Sequence, residues 1–584
     1  MQTWDWVPID QTLFTLKTVS TSPTETVAEL EDPSFATAST TALPPRRLRS
    51  LGPDLLIGLL LIGAATLGVY GVRRVVTRPL WYDEQWRAYF FSLHGHEFWN
   101  QIHNINAPNG LLYVGAVKLS TATFGQHPWA LRLPAAVAVP VLAVLTYAYA
   151  RRFVGRAGSV LVALVVAGSS GALSQSLQLK PYLVEAAATA AVLLLWAATP
   201  APGTGRRRRR VILFTIAAVI SCIAVPGVFL IVPLVVAEPI LLRADLRRRV
   251  GALLDVLPAL AISLLHTGLF VGAQAAQRHT DYWNFAFTSG RDPSDALHFL
   301  VNSTRNLAAG TALAFTSSST PVNGVQHLGW VASAAAAVVI AGWVMAAATV
   351  WRTRPGRQLL IVCGCFLGGS ALASELRYWP YGLIRTNIFI IPALAVLAVA
   401  GWAALWRIGM SAMRSPQRRW QLRLPAAVAL SAMAAAACGV LVLDGARLEQ
   451  WRIGTRNAIY GDQLAAAAFY VRAHARPGEL VAYGDVMAIR GWQWALDAAD
   501  GPRGLRRIPA TDQLAFMRFD DGSVARALRA HAGSDAAYVY IAKGVGPGSI
   551  QDLRQQFTAT HWCASQSLRY PTSGLLLKLS PCRT

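Results

Sequence analysis

Acidic residues and lysine are scarce in this chain. Of 584 residues only 30 are Asp or Glu and five are Lys, against 48 Arg; charged residues make up 14%, well below the ~25% usual for soluble domains. That shortage excludes an ordinary soluble enzyme. Cysteine is scarce too: six residues, with no CxxC pair and no Cys/His cluster at zinc-like spacing, which excludes a disulfide scaffold and a zinc-finger module. The arginines are not interleaved with aromatics as single-stranded nucleic-acid binding demands, so the net charge of +23 does not imply a nucleic-acid partner.

What the chain has is apolar length, with 54% hydrophobic residues. Eleven stretches have the ~17 to 25 residues needed to cross a hydrocarbon core. They start near Pro53, Trp129, Ala157, Tyr182, Val211, Pro226, Val250, Leu328, Leu359, Thr386 and Leu424. Arginine marks alternate connections: Arg151/Arg152/Arg156, Arg206 to Arg210, Arg243/Arg247/Arg248/Arg249, Arg352/Arg354/Arg357, and Arg407/Arg414/Arg418/Arg419/Arg423. These five loops hold 20 arginines and one acid, Asp245. By the positive-inside rule they face the cytoplasm. The expected organisation is an α-helical polytopic membrane protein in the plasma membrane. Residues 1–50 form a disordered cytoplasmic tail without a cleavable signal, 51–443 the membrane domain, and 444–584 an extracytoplasmic α/β domain.

Two further segments, about 76–128 and 276–327, are too long and polar for simple hairpins and fall on the outer side, where the active side is expected. In the last domain, a helix over Leu464 to His474 and strands over Glu479 to Asp485, Ala536 to Ala542 and Gly574 to Leu579 are predicted. Cys563 and Cys582 bracket its end and are a disulfide candidate, the alternative being two thiols. Cys222, Cys363, Cys365 and Cys438 sit in apolar spans and read as core residues. Glu185, Glu238 and Asp255 lie near span ends, where buried pairing or interface exposure accounts for them.

After span 1 comes Trp81-Tyr-Asp83-Glu84-Gln-Trp-Arg87, an acidic pair among aromatics at the outer interface. A carboxylate there is costly unless paired or used, though helix capping and hydration would serve equally. The loop continues through His94, His96, Glu97 and His103 to Ala107-Pro-Asn109-Gly-Leu-Leu-Tyr113, then Phe124-Gly-Gln-His-Pro-Trp-Ala-Leu-Arg132-Leu-Pro. These pieces, with Ser174-Gln-Ser-Leu-Gln-Leu-Lys180-Pro-Tyr182 and Arg377-Tyr-Trp379-Pro-Tyr-Gly-Leu-Ile-Arg385, resemble the GT-C superfamily of polyprenyl-phosphate-sugar-dependent membrane glycosyltransferases. The pattern is similar to glycosyltransferase family 39, the protein O-mannosyltransferase and aminoarabinose-transferase group. The resemblance spans roughly residues 53 to 443. Many relatives carry His-Pro-Pro where this chain has Ala107, Pro108 and Asn109, and Arg where it has Lys180.

The resemblance implies a GT-C fold and an inverting transfer of sugar from a polyprenyl-phosphate donor to a cell-envelope glycan, lipid or protein acceptor. It gives Asp83 the role of base; Glu84 would position Asp83, bind acceptor or bind metal. Outward cations, Lys180 with its neighbour Tyr182, Arg385 and Arg377, suit the donor phosphate, with interface snorkelling the alternative for Lys180. Tyr82, His103, Asn109, Tyr113, Arg132 and Trp379 are candidate substrate contacts, Arg132 equally a helix pin. The loop histidines lack a specific metal signature, and a divalent cation, Mg²⁺ or Mn²⁺, bridging carboxylate and phosphate stays open. The Arg-over-Lys bias with abundant Ala and Gly matches GC-rich coding, as in many actinobacteria, and puts mannose and arabinofuranose first among sugars. A transporter or lipid flippase is the competing class; it predicts matching inverted halves, which the sequence does not show.

Overall fold

A computed structural model describes residues 51–71, 73–77, 80, 82–105, 108–168, 178–200, 206–242, 246–274, 281–313, 330–382, 386–414, 462–476, 478–483, 491–492, 494, 515–518, 523–531, 533–542, 553, 555–570 and 574–582. Helices dominate through residue 414. They are α1 (Leu51–Gly71), α2 (Tyr82–Ser92), α3 (Gly95–Gln101), α4 (Leu111–Phe124), α5 (Pro128–Ala150), α6 (Arg156–Ala167) and α7 (Tyr182–Ala197). Next come α8 (Arg207–Ser221), α9 (Gly227–Ile240), α10 (Leu246–Leu265), α11 (Pro293–Leu313), α12 (Trp330–Val350), α13 (Arg354–Glu375) and α14 (Ile391–Arg414).

The first ten expected spans each fall on a helix, and the eleventh, from Leu424, lies outside the described residues. Among the described residues, six helices are long and apolar enough to cross a membrane; α4, α6, α7 and α9 are shorter apolar helices. The centre is α14, where 78% of the apolar window is buried, whereas α1 has only 6% and turns Leu55, Leu56, Leu59 and Leu60 outward. A lipid-facing helix needs no protein partner for its leucines. α12 crosses α14 at Gly342 and Gly401, where a Cβ on either glycine would overlap the other helix's backbone. Local chemistry sets the starts: Thr353 Oγ1 accepts the Gly356 N–H at 3.1 Å with Pro355 in the first turn of α13. Asp292 Oδ1 accepts the N–H groups of Ser294 at 3.0 Å and Asp295 at 2.9 Å ahead of α11.

Side-chain hydrogen bonds sort the helix ends onto two faces. On one, Asp54 of α1 receives Tyr147 Oη at 2.6 Å, Arg151 Nε at 3.0 Å and Arg156 Nε at 3.1 Å. Buried Arg210 there binds Glu238 at 2.8 Å, Asp255 at 2.9 Å and the Pro200 carbonyl at 2.6 Å, while Trp196 Nε1 donates to Glu238 at 2.7 Å. Of the two readings of Glu238 and Asp255, buried pairing is the one seen, and two of the arginine-rich connections meet acids at the helix ends.

The C-terminal part holds α15 (Asp462–His474), β1 (Leu480–Tyr483), β2 (Ala515–Arg518), α16 (Ser523–Ala530), β3 (Ala537–Ala542), β4 (Trp562–Tyr570) and β5 (Gly574–Pro581). The sheet order is β2-β1-β3-β5-β4, parallel among the first three and antiparallel at β5 and β4. The predicted helix and three strands are present; β2 and β4 were not foreseen. β4 is an edge strand with polar exposed residues from Ser565 to Ser567, so it shows no hydrophobic alternation. Cys563 and Cys582 are disulfide-bonded, with Cα atoms 5.0 Å apart across β4 and the end of β5.

Candidate active site

The second face of the bundle collects the motifs. α2 carries Tyr82 and Asp83 in its first turn; nothing is described of their side chains. Glu84 is fully buried, and both carboxylate oxygens are held by Arg132 of α5, Nε to Oε1 at 2.9 Å and a terminal nitrogen to Oε2 at 2.6 Å. Arg132, also fully buried, reaches back to the Val76 carbonyl at 2.8 Å. Glu84 Oε1 further accepts the Leu179 N–H at 2.6 Å. One carboxylate therefore ties the segment after span 1 to α5 and to the residue preceding Lys180. A bidentate, fully buried pair of this kind is a strong orienting device.

Lys180 is buried, with its ammonium 5.9 Å from the Tyr182 ring centroid, at the start of α7. One turn on, buried Glu185 accepts the Val225 N–H at 3.0 Å from the turn between α8 and α9. Arg87, one turn after Glu84, is buried and donates to Asn109 Oδ1 at 2.8 Å; its Nε has no hydrogen-bond partner among the described residues. Tyr113 on α4, in the segment between the first two expected spans, is fully buried with a hydroxyl that also lacks a partner among the described residues. Burial pushes that phenol well above its usual range, with Arg87, Glu84, Glu185 and Tyr182 in electrostatic reach, so it remains a proton donor.

Phe229, Trp379 and Phe389 form an aromatic cluster, with ring centroids 5.9 to 6.2 Å apart. Trp379 Nε1 is buried and has no partner among the described residues. Arg377 sits on the connection after α13 with φ 54°; it hydrogen-bonds Asn284 and lies 5.8 Å from the Phe287 ring. It braces this connection against the segment around Asn284 to Thr288, together with Ser374, which contacts Thr288 at 2.9 Å, and the Tyr381 N–H, which donates to Ala286 at 3.2 Å. Arg385 lies outside the described residues. His94, His96 and His103 are exposed, and among the described residues no three His, Cys, Asp or Glu side chains come together as a metal site.

The site thus unites Glu84, Arg132, Lys180, Tyr182, Asn109 and Tyr113 from the sequence reading. Arg87, His266 and Gln274 were not singled out. Arg87 had a readable signal, an arginine three residues after the acidic pair and outside the five arginine-rich loops. His266 and Gln274 are lone polar residues at the end of an apolar run, where sequence gives no facing direction.

No protein-family model and no curated protein matches the chain. Solved structures similar to it include ArnT from Cupriavidus metallidurans in the apo state, at 14% identity and TM-score 0.49, over 89% of this chain and 97% of that one. The form of that protein bound to undecaprenyl phosphate matches at 14% identity and TM-score 0.47, over the same 89% and 97%. The archaeal oligosaccharyltransferase AglB from Archaeoglobus fulgidus, in complex with an inhibitory peptide and a dolichol-phosphate, matches at 14% identity and TM-score 0.44, over 76% of this chain and 63% of that one. At such identities the likeness is one of fold.

Proposed function

We propose that this chain is an inverting GT-C-type glycosyltransferase that moves a sugar from a polyprenyl-phosphate donor to a hydroxyl of a cell-envelope acceptor on the outer membrane face. The observation that carries the reading is the Glu84 carboxylate, which locks the segment bearing Asp83 to the amide beside Lys180, 95 positions on. The backbone segment that carries an acid suited to proton abstraction is thereby tied to the one that carries a cation suited to a phosphate.

In the proposed reaction Asp83 takes the acceptor hydroxyl proton, and the hydroxyl oxygen attacks the anomeric carbon from the side opposite the phosphate. The bond from that carbon to the phosphate oxygen breaks, and the electron pair leaves on the polyprenyl phosphate. Lys180, Arg87 and Arg385 offset the charge gathering there. Tyr113, kept protonated by burial, and the Trp379 indole N–H donate to donor or acceptor oxygens. Glu84 is assigned to positioning, because both its oxygens are already committed. Arg377 is assigned to bracing the outer loops, and Arg132 to holding Glu84.

Mannose and arabinofuranose are the first sugars to test. The experiment is transfer of label from a panel of polyprenyl-phosphate sugars to membrane fractions by the purified protein. Label carried into a glycan, lipid or protein fraction supports the reading and names donor and acceptor. Absence of transfer from every donor, with the protein folded, contradicts it.

A further inference from the structure

The strip Asn109 to Leu112 ahead of α4 is held by an irregular helix end. After Leu265 the backbone of α10 passes into a π-helical turn, His266–Val271, and a 3-10 turn, Gly272–Gln274. Single π turns inside helices concentrate at functional sites. Gln274, fully buried, spans the backbone of Asn109: its Oε1 accepts the Asn109 N–H at 3.0 Å and its Nε2 donates to the Asn109 carbonyl at 3.1 Å. Nε2 also donates to the Phe270 carbonyl at 3.1 Å, which fixes the amide's orientation. His266 Nε2 accepts the Leu111 N–H at 3.2 Å.

The strip's other side meets the turn between α8 and α9. The Leu112 N–H donates to the Cys222 carbonyl at 3.2 Å, and Gly110 lies so close to Ile223 that a Cβ would overlap its carbonyl. With its backbone held by Gln274, Asn109 turns its side-chain oxygen to Arg87. There Oδ1 accepts from Arg87 at 2.8 Å, while Arg87 Nε stays without a partner among the described residues, close enough to Tyr113 and Glu185 for electrostatic contact.

We infer that Gln274, with His266, is a latch that positions Arg87 for the lipid phosphate, acting through Asn109. Gln274 and His266 are positioning residues: neither touches the reacting atoms. The inference rests on the proposed donor site and deepens it by naming what sets the aim of one of its cations.

The test is the affinity of purified full-length protein for undecaprenyl phosphate, with thermal melting of each variant recorded beside it. Gln274→Ala is expected to weaken binding about tenfold, the scale of one lost charge-assisted contact. Asn109→Ala keeps both backbone hydrogen bonds to Gln274 and removes the Oδ1 contact to Arg87; it is expected to lose as much. In an Arg87→Ala background Gln274→Ala is expected to add nothing, since the latch then has nothing to aim. A purely structural residue would lower affinity or melting by the same factor in both backgrounds, and that result overturns the latch. Wild-type affinity for Asn109→Ala overturns it too. If the wild-type protein itself does not bind undecaprenyl phosphate, the donor-site reading fails and takes the latch with it. If the wild type binds and every variant binds equally, only the latch is lost.

Discussion

Glu84 and Arg132 place opposite charges where no solvent reaches them. Removing one partner of such a pair leaves an uncompensated buried charge, at a cost of about 3 to 5 kcal/mol, whereas replacing both with apolar residues of similar volume is often close to neutral. Arg132→Ala is therefore expected to lower the melting temperature in detergent sharply, and the double variant Glu84→Leu with Arg132→Met to recover most of it. A single variant as stable as the wild type would show that the pair does not hold this face together. At this scale the sequence was half legible. An acid amid interfacial aromatics announces that it is paired or used, but the partner lies 48 positions away and is chosen only when α2 and α5 pack. Arg132 could be read as a pin or a ligand; geometry assigns the pin.

Among the elements, close joints fall at glycines. Gly110 touches the Ile223 carbonyl, and Gly382 combines a φ of +80° with an approach to Ser303 that leaves no room for a Cβ. Gly382→Ala is strained twice over, by conformation and by overlap, and Gly110→Ala by overlap alone. Both are expected to reduce the yield of folded protein, and Gly110→Ala to weaken undecaprenyl phosphate binding in whatever folds, as it displaces Asn109. Wild-type binding by folded Gly110→Ala would contradict the close docking of that strip. In the C-terminal domain the Cys563–Cys582 bond closes a loop across a sequence separation of 19. A crosslink of that length is worth about 3 kcal/mol, so Cys563→Ser is expected to make the domain markedly easier to cleave with protease while the bundle stays resistant. Helices written in long apolar runs were legible because lipid demands them. The edge strand β4 was not, because its residues are polar on both sides and its pairing with β5 is set by the fold.

For the molecule as a whole, arginine placement carries the topology. The loops around Arg151 to Arg156 and Arg206 to Arg210 meet acids on one face of the bundle, and the residues of the candidate site meet on the other. That division was readable because an arginine-rich loop does not cross hydrocarbon, whatever the tertiary contacts are. The orientation proposed for it has a direct check. In intact cells a membrane-impermeant maleimide should label protein bearing Arg529→Cys, in the exposed last turn of α16, and should label Arg208→Cys only after lysis. The reverse pattern would turn the active face to the cytoplasm. What the charge pattern could not supply was the interior of the site, where Arg87, Gln274 and Tyr113 are joined by contacts between segments far apart in the chain.

The central claim is that Asp83 is the base of a sugar transfer that starts from a lipid phosphate. It is tested most directly by comparing the wild type with Asp83→Asn in transfer from the labelled polyprenyl-phosphate sugar that the panel identifies, with binding of that donor measured on the same preparations. Transfer by Asp83→Asn is expected to fall at least a hundredfold, within the range assigned to general base catalysis, while donor binding and melting stay close to wild type. Transfer near the wild-type rate by a folded, donor-binding Asp83→Asn protein would contradict it.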